Sequence, residues 1–417
     1  MPFDERTFDR EKFVDGKVSR ICVVWSDAGK LDRVIVGLRQ SIGHSVQSFT
    51  IVSPDKTPDG SGFLPTGHAE CREDVNDLVV KNREFVAALV NGWIVHGRFS
   101  KNSLETIRTI PNVLGPSGQA LCLMYNTISF CEGSSVIVGG SNGEIVLVTL
   151  DKFSQIVSLA KELTPVLCIA ACTTNHFVTA HASGQLHYWD TKMGVQLYNL
   201  QFHNRITITP MLPLSSRAIT DLIDPITCIA ICPNDQHVLA FATKSGAIGF
   251  VDLSDENADE PVLVCISNYA MQQICFHEDY PLHMFAVSRD GLYHLDATVV
   301  ASHANSKENQ NATLRPTMRN GVVDADKSAG QTRHHSYINP WLGGRITNVA
   351  VSQILTLQPS LPSALALTKS TIFVGSASCF LGMMSGFHPK MASVEQKMFP
   401  SGHTPKNRAA LGLVCVQ

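Results

Sequence analysis

The stretch VLCIAACTTNHFVTAHASGQLHYWDTK, residues 166–192, decides the fold of this chain. It contains three short apolar-rich runs, a Ser183-Gly184 turn and a terminal Trp189-Asp190 pair. This arrangement is typical of one four-stranded blade of a WD-repeat β-propeller. A single blade cannot bury both of its faces, so the flanking sequence must supply neighbours of the same design.

Related units occur on both sides of this stretch. Within residues 226–254, ITCIAIC matches VLCIAAC and KSGAIGFVD matches ASGQLHYWD, so the Ser-Gly turn is repeated. Five units carry a structural turn glycine, a residue that tolerates the backbone angles of tight hairpins, at Gly92, Gly143, Gly184, Gly246 and Gly291. The glycine recurs after 41 residues between Gly143 and Gly184 and after 45 between Gly246 and Gly291. Both intervals fit the roughly 40 to 45 residues of a WD-type repeat.

Seven units are predicted in total, and together they form one propeller over residues 11–388. The first six cover 17–52, 74–99, 121–151, 166–192, 226–254 and 271–298, and the seventh runs from HHSYINPWL to about residue 388. Residues 53–74 are interpreted as a connecting loop, and 206–224 as an insertion between the fourth and fifth blades. The polar segment at about 299–334 predicts a disordered insertion, because it cannot bury enough apolar surface to offset its ordering entropy. Residues 1–10 are predicted to be a flexible N-terminus and 389–417 a loose C-terminal tail.

A ring of blades needs a closure, since an open sheet edge exposes unpaired backbone groups. The run EKFVDGKVS, residues 11–19, precedes the first unit and is predicted to supply the outer strand of the last blade. The sequence therefore predicts an all-β, seven-bladed WD-repeat β-propeller whose ring is closed by an N-terminal strand.

Composition restricts the function. The formal net charge is only −3 and no run of Lys and Arg is dense, which argues against direct nucleic-acid binding. No apolar stretch reaches the roughly 20 residues that a transmembrane helix needs, and the N-terminus is charged from its fourth residue. These features predict a soluble intracellular protein without membrane insertion, in which the 12 cysteines are reduced thiols.

Motifs for chemistry are missing from the sequence. The pairs Cys168/Cys172 and Cys228/Cys232 are four residues apart, which predicts small core side chains on one face of a strand rather than zinc ligands. Neither a Gly-x-Ser-x-Gly elbow nor a His-Glu-x-x-His helix occurs. We therefore expect no enzyme activity, no metal, no cofactor and no small-molecule substrate. A propeller of this kind is expected to bind other proteins through its faces and blade edges.

Four residues are candidates for protein interaction. Trp189 is interpreted as a packed aromatic, and it becomes a binding anchor if it is exposed. Ile338, Trp341 and Leu342 are apolar residues just beyond the polar insertion and are candidates for an interface. Packing beneath the last blade is the alternative for these three.

The last two units and the N-terminus resemble one family. A pattern His-x-x-x-Pro-x-His-x-Phe, then Asp-Gly and Asp, is matched by His277, Pro281, His283, Phe285, Asp290, Gly291 and Asp296. A following segment matches at His335, Ser336, Ile338, Trp341 and Leu342, and the N-terminal opening matches at Lys12, Phe13, Val14, Lys17 and Ser19. In these residues the chain resembles the forty-three-kilodalton WD-repeat nucleoporin family, as a divergent member.

The resemblance implies a structural subunit of the Y-shaped outer-ring complex of the nuclear pore. Such a subunit docks on an α-solenoid nucleoporin, supports pore assembly and nucleocytoplasmic transport, including mRNA and protein transport, and also locates to kinetochores in mitosis. An alternative is a WD-repeat substrate receptor of a cullin-RING ubiquitin ligase, because Trp189-Asp190-Thr191-Lys192 is one conservative step from the Trp-Asp-x-Arg ending of such receptors.

Overall fold

The computed structural model describes thirteen stretches of the chain: residues 8–26, 31–41, 43, 45–100, 103–125, 134–150, 156–173, 176–190, 204–208, 224–253, 264–297, 350–355 and 361–385. Within them the chain forms seven four-stranded antiparallel sheets and one 3-10 turn, at Pro54–Lys56. Each sheet is one blade. The first strand of the chain, β1 (Arg10–Phe13), belongs to the last blade.

The first four blades follow one another along the chain. Blade one is formed by β2 (Lys17–Trp25), β3 (Leu31–Arg39), β4 (Ser45–Ile51) and β5 (Phe63–Glu70). Blade two is formed by β6 (Val75–Lys81), β7 (Glu84–Leu89), β8 (Ile94–Phe99) and β9 (Leu104–Ile110). Blade three is formed by β10 (Ala120–Tyr125), β11 (Ser135–Gly140), β12 (Glu144–Thr149) and β13 (Ile156–Lys161). Blade four is formed by β14 (Val166–Ala171), β15 (His176–His181), β16 (Leu186–Asp190) and β17 (Asn204–Ile208).

The last three blades continue this order until the final strand position. Blade five is formed by β18 (Ile226–Cys232), β19 (Asp235–Thr243), β20 (Ala247–Asp252) and β21 (Val264–Cys265). Blade six is formed by β22 (Met271–Phe276), β23 (His283–Ser288), β24 (Gly291–Asp296) and β25 (Ala350–Leu355). Blade seven is formed by β26 (Pro362–Leu367), β27 (Thr371–Ser376), β28 (Phe380–Ser385) and β1.

The sheets form a closed ring. The first strand of each blade contacts the first strand of the next, and β26 of blade seven contacts β2 of blade one. The N-terminal strand β1 pairs antiparallel with β28, with Phe13 opposite Phe380. Asp9 accepts hydrogen bonds from the backbone and hydroxyl of Ser385, and Lys12 forms an ion pair with Asp59 of blade one. The predicted seven-bladed propeller and its closure by an N-terminal strand are confirmed.

The hydrophobic core is divided among the boundaries between blades. Seven buried clusters are present, and each contains side chains from two adjacent blades, including one cluster that joins blades seven and one. A fully buried phenylalanine recurs on the second strand of five blades, at Phe85, Phe177, Phe241, Phe285 and Phe373. Alternate residues of one strand thus face opposite neighbours, which is why the strands have apolar residues on both faces.

All seven first strands bulge at their beginning. The register shifts between Val18 and Arg20 in β2 and between Val75 and Asp77 in β6, and a corresponding shift occurs in the other five. A bulge strengthens the local twist of a strand. The shared bulge is therefore expected to increase the local twist at the same position of each blade.

Several predicted boundaries were wrong, mainly at fourth strands. Residues 53–74, predicted as a loop, contain the 3-10 turn and β5. The predicted insertion at 206–224 begins with the last residues of β17. The predicted seventh unit combined strands of two blades, because β25 completes blade six. The fourth position of blade seven is taken by β1, as predicted. Phe8 already packs against Gly382 of β28, so the propeller begins before the predicted residue 11.

Four of the five predicted turn glycines have the expected backbone. Gly92, Gly143, Gly184 and Gly246 have φ angles of 81°, 77°, 77° and 90°. Gly291 instead begins β24 opposite Ser288, so the two-residue turn is Arg289-Asp290. In blade seven the corresponding hairpin carries Cys379 at φ 67°, where most other blades use glycine. The predictions for 299–334 and 389–417 lie outside the described residues and stay predictions.

Candidate interaction surfaces

Trp189, the aromatic residue of the Trp-Asp pair, lies in the core. Its side chain is 2% exposed and stacks on Phe177 with a centroid distance of 5.9 Å. Its Nε1 donates a hydrogen bond of 3.0 Å to Thr179 Oγ1, and this hydroxyl is also 2.8 Å from His181 Nε2. Trp189 therefore holds β15 and β16 together, and its indole is not available at the surface as a binding anchor.

A second buried pair braces the same blade against blade three. His187 Nδ1 lies 3.5 Å from Glu162 Oε2, and the His187 ring packs at 4.4 Å from the ring of His181. Glu162 belongs to the loop between β13 and β14, and its backbone N–H donates to Gly143 O at 2.8 Å. These polar side chains thus connect a hairpin, a loop and two strands inside the protein.

The residues that carry the family resemblance form a similar buried network in blade six. His283 Nδ1 lies 3.0 Å from His294 Nε2 and 3.8 Å from Asp296 Oδ1. The His294 ring stacks on Phe285 at 4.9 Å. His277 Nε2 contacts Lys369 O of blade seven at 3.2 Å, so the network also crosses a blade boundary. The matched positions His277, His283, Phe285 and Asp296 are therefore explained by packing.

Burial controls the charge state of these histidines. It lowers the pKa of His277 and of His283, where the Asp296 carboxylate opposes the effect. Burial, together with the neighbouring His283, lowers the pKa of His294 to about 4. The three imidazoles are consequently neutral at pH 7, and neutral rings can pack against each other without repulsion.

An ion pair joins three blades at the ring axis. Arg20 Nε on β2 lies 2.7 Å from Asp77 Oδ1 on β6, and Asp77 is almost fully buried. Asp77 Oδ2 accepts a hydrogen bond of 2.8 Å from the backbone N–H of Leu123 on β10. The Asp77 carboxylate raises the pKa of Arg20 above its ordinary value, so the guanidinium is charged. No local sequence pattern indicated this contact between residues far apart in the chain.

Cysteine thiols occupy five of the seven first strands. They are Cys22, Cys122, Cys168, Cys228, Cys232 and Cys275, two of which share β18, and all are free. Burial raises the pKa of Cys22 and Cys228 to about 12 and also raises that of Cys168. Cys168 and Cys172 belong to one buried cluster and Cys228 and Cys232 to another, as predicted for pairs on one strand face. A high pKa keeps a thiol protonated and weakly nucleophilic.

Among the described residues, no group of three His, Cys, Asp or Glu side chains is arranged to hold a metal ion. The same part of the chain contains no helix of the length and apolarity that a membrane span requires. The polar clusters described above connect strands and blades inside the protein. The candidates Ile338, Trp341 and Leu342 lie outside the described residues, and their role stays a prediction.

One surface of the ring is defined by the hairpin turns and by the loops that lead to the next blade. Gly92, Gly143 and Gly246 in three of these turns accept backbone hydrogen bonds of 2.8 to 3.1 Å from Val113, Glu162 and Ile266 in the following loops. We call this surface the loop face. Two large apolar side chains are exposed there, Leu163 at 103% and Tyr269 at 48%.

Comparison with solved structures agrees with this architecture, whereas comparison with family models does not identify the chain. No family model matches the chain. The crystal structure of the WD40 β-propeller domain of Doa1 is similar, with a TM-score of 0.56 and 14% identity over 91% of this chain and 97% of that one, which supports the fold alone.

Curated relatives give a second, narrower similarity. Nucleoporin Nup43 of Mus musculus is 24% identical over 232 residues, and Nup43 of Homo sapiens is 24% identical over 231. In both cases 55% of this chain and 55% of the relative are covered, so the chain spans about half the length of the curated relatives it matches. The chain is thus a seven-bladed WD-repeat β-propeller that is similar, at a divergent level, to the nucleoporin Nup43.

Proposed function

We propose that this protein is a non-catalytic scaffold, a structural subunit of the outer-ring Y complex of the nuclear pore. It docks on an α-solenoid nucleoporin and supports pore assembly and nucleocytoplasmic transport. It is located at the nuclear envelope and, in mitosis, at kinetochores. The similarity to nucleoporin Nup43 over 55% of the chain is the observation that carries this proposal.

Features of the described structure are consistent with a scaffold. The seven clusters between blades and the contacts of β1 make a closed ring whose loops and strand edges are held in fixed positions. Burial lowers the pKa of the blade-six imidazoles His277, His283 and His294 and raises the pKa of the thiols of Cys22, Cys168 and Cys228. Neither group is therefore suited to acid–base or nucleophilic catalysis. A rigid platform that presents loops is the usual basis of protein binding by propellers.

The cullin-RING receptor alternative rested on the Trp-Asp ending of blade four. Trp189 lies in the core, where it stacks on Phe177 and donates a hydrogen bond to Thr179. The rest of that motif, residues 191–192, lies outside the described residues. No observation favours this alternative over the nucleoporin proposal.

The proposal is tested by affinity purification of the tagged full chain in mild salt, followed by identification of the chains that co-purify. We expect other nucleoporins of the Y complex, including its α-solenoid subunit. The Trp189→Ala variant, which is destabilised in the core of blade four, should recover fewer of these chains if they bind the folded ring. Recovery of a cullin adaptor without nucleoporins would refute the proposal.

A further inference from the structure

A half-exposed tyrosine projects from a rigid loop on the loop face. Tyr269 lies between β21 and β22 and is 48% exposed. Its backbone N–H donates to Ser267 Oγ at 3.0 Å, and its carbonyl accepts from Ser288 Oγ at 3.2 Å. The preceding Ile266 donates its N–H to Gly246 O at 3.0 Å. The loop is thus tied to the hairpin turns of both neighbouring blades.

The hairpin turn of blade six is braced in the same region. Asp290 Oδ1 accepts from Ser267 Oγ at 2.8 Å, and Oδ2 accepts from Tyr293 Oη at 2.8 Å. Ser267 Oγ is also 2.8 Å from Ser288 Oγ. Because these bonds already order the loop, binding through Tyr269 would cost little conformational entropy.

Each of the two hairpin turns that this loop contacts carries one exposed cationic residue. Lys244 lies in the blade-five turn, two residues before Gly246, and Arg289 follows Ser288 in the blade-six turn; both are exposed. Neither forms an ion pair with any residue in the described part of the chain. We call Lys244, Tyr269 and Arg289 the tyrosine patch.

Two carboxylates border the tyrosine patch and limit which partner it fits. Asp224 accepts hydrogen bonds from the hydroxyl and the N–H of Ser245. Asp290 accepts hydrogen bonds from the hydroxyls of Ser267 and Tyr293. With two cations beside two anions, the region does not favour a long polyanion such as nucleic acid. A segment with one or two carboxylates can instead pair with the individual cations while an apolar side chain packs on the phenol ring.

We propose that the tyrosine patch is a docking site for a short acidic protein segment that contains an apolar side chain. Tyr269 is the anchor, and Lys244 and Arg289 pair with carboxylates on either side of it. Tyrosine and arginine are enriched among the residues that dominate binding energy at protein interfaces. The inference uses only this surface and does not depend on membership of the nuclear pore.

The test begins with selection of a randomised displayed peptide library on the purified full chain. Peptides that also bind the triple variant Lys244→Glu, Tyr269→Ala, Arg289→Glu are removed by counter-selection. We expect the remaining peptides to be rich in Asp or Glu next to a large apolar residue. Their affinity is then measured by fluorescence anisotropy of one labelled synthetic peptide.

Single variants separate the contributions. We expect Tyr269→Ala to weaken binding about thirtyfold and each charge reversal to weaken it about tenfold, with weaker binding at higher salt. The matched control is Lys17→Glu, an exposed cation at the start of β2 on blade one, which should leave the affinity unchanged. All variants should keep the melting temperature of the wild type, because their side chains are exposed.

Three results would overturn the inference. They are selected peptides without acidic residues, a Lys17→Glu variant that loses as much affinity as Lys244→Glu, and displacement of the labelled peptide by a single-stranded RNA oligonucleotide that binds more tightly. If the peptides bind but the affinity purification recovers no nucleoporins, the docking site is supported and only the proposed function is refuted.

Discussion

Replacement of Asp77 by alanine tests how the ring is held at its axis. The variant loses the 2.7 Å contact with Arg20 and the 2.8 Å hydrogen bond from Leu123 N–H. Breaking a buried ion pair costs about 3 to 5 kcal/mol, because the remaining charge is left uncompensated. The Arg20 side chain is 29% exposed, so we expect the cost of breaking the ion pair to lie near the lower end of this range. The Leu123 N–H, left without its acceptor, adds about 1 kcal/mol. We expect a loss of about 3 to 4 kcal/mol in the free energy of unfolding.

The assay is guanidinium unfolding at pH 7, followed by tryptophan fluorescence. The control is Lys161→Ala, which removes an exposed pair of 3.3 Å with Glu144 and should cost under about 1 kcal/mol. The double variant Arg20→Ala, Asp77→Ala removes both charges, so its loss should be smaller than the sum of the two single losses by at least about 1 kcal/mol. Strictly additive losses, or an Asp77→Ala variant as stable as Lys161→Ala, would refute the idea of a coupled axial pair.

Four further changes probe the packing of individual blades. Trp189→Ala should cost about 3 to 5 kcal/mol in denaturant unfolding and Trp189→Phe clearly less, and equal losses would contradict its role in packing. The pKa of His294 is about 4 in the folded protein and 6.5 in the free residue, so the unfolded chain takes up the proton first. The free energy of unfolding is therefore unaffected by His294 above about pH 6.5 and falls between pH 6.5 and pH 4, by up to about 1.4 kcal/mol per pH unit. The His294→Gln variant should flatten the dependence of melting temperature on pH. Deletion of residues 1–13 should lower the melting temperature by removing β1, whereas deletion of 1–7 should not, and equal melting temperatures would exclude β1 as the closure. Cys379→Gly should stabilise by about 0.5 to 1 kcal/mol because it relieves a positive φ, while a similar gain from Cys379→Ala would point to another cause.

The sequence predicted best those strands that are buried on both faces. First, second and third strands have continuous apolar runs separated by turn glycines, so the repeat of blades was visible. Fourth strands lie at the rim, and their apolar pattern is weak. In β5 the residues between Phe63 and Ala69 are exposed or half-buried and include Pro65 and Gly67. This explains why β5 was interpreted as a loop.

The assignment of β25 to the predicted seventh unit was wrong for a different reason. β25 follows β24 only after a long stretch of sequence. Local periodicity does not indicate which sheet such a strand joins. The pairing is decided by which sheet edge is open when the ring closes, and that is a property of the whole fold.

The sequence and the tertiary structure contributed different information about the fold and the candidate sites. The sequence by itself determined the number of blades and the cysteines as core residues, because these depend on alternation and repeat length within each blade. It also indicated the closure of the ring, because an open sheet edge needs a partner strand. Only the tertiary structure decided that Trp189 and His283 serve packing, and that Arg20 meets Asp77. It alone also placed Tyr269 on a loop that is hydrogen-bonded to two hairpin turns, each of which carries an exposed cationic residue. These outcomes depend on which neighbours surround a side chain after the blades converge, and residues far apart in the chain supply those neighbours.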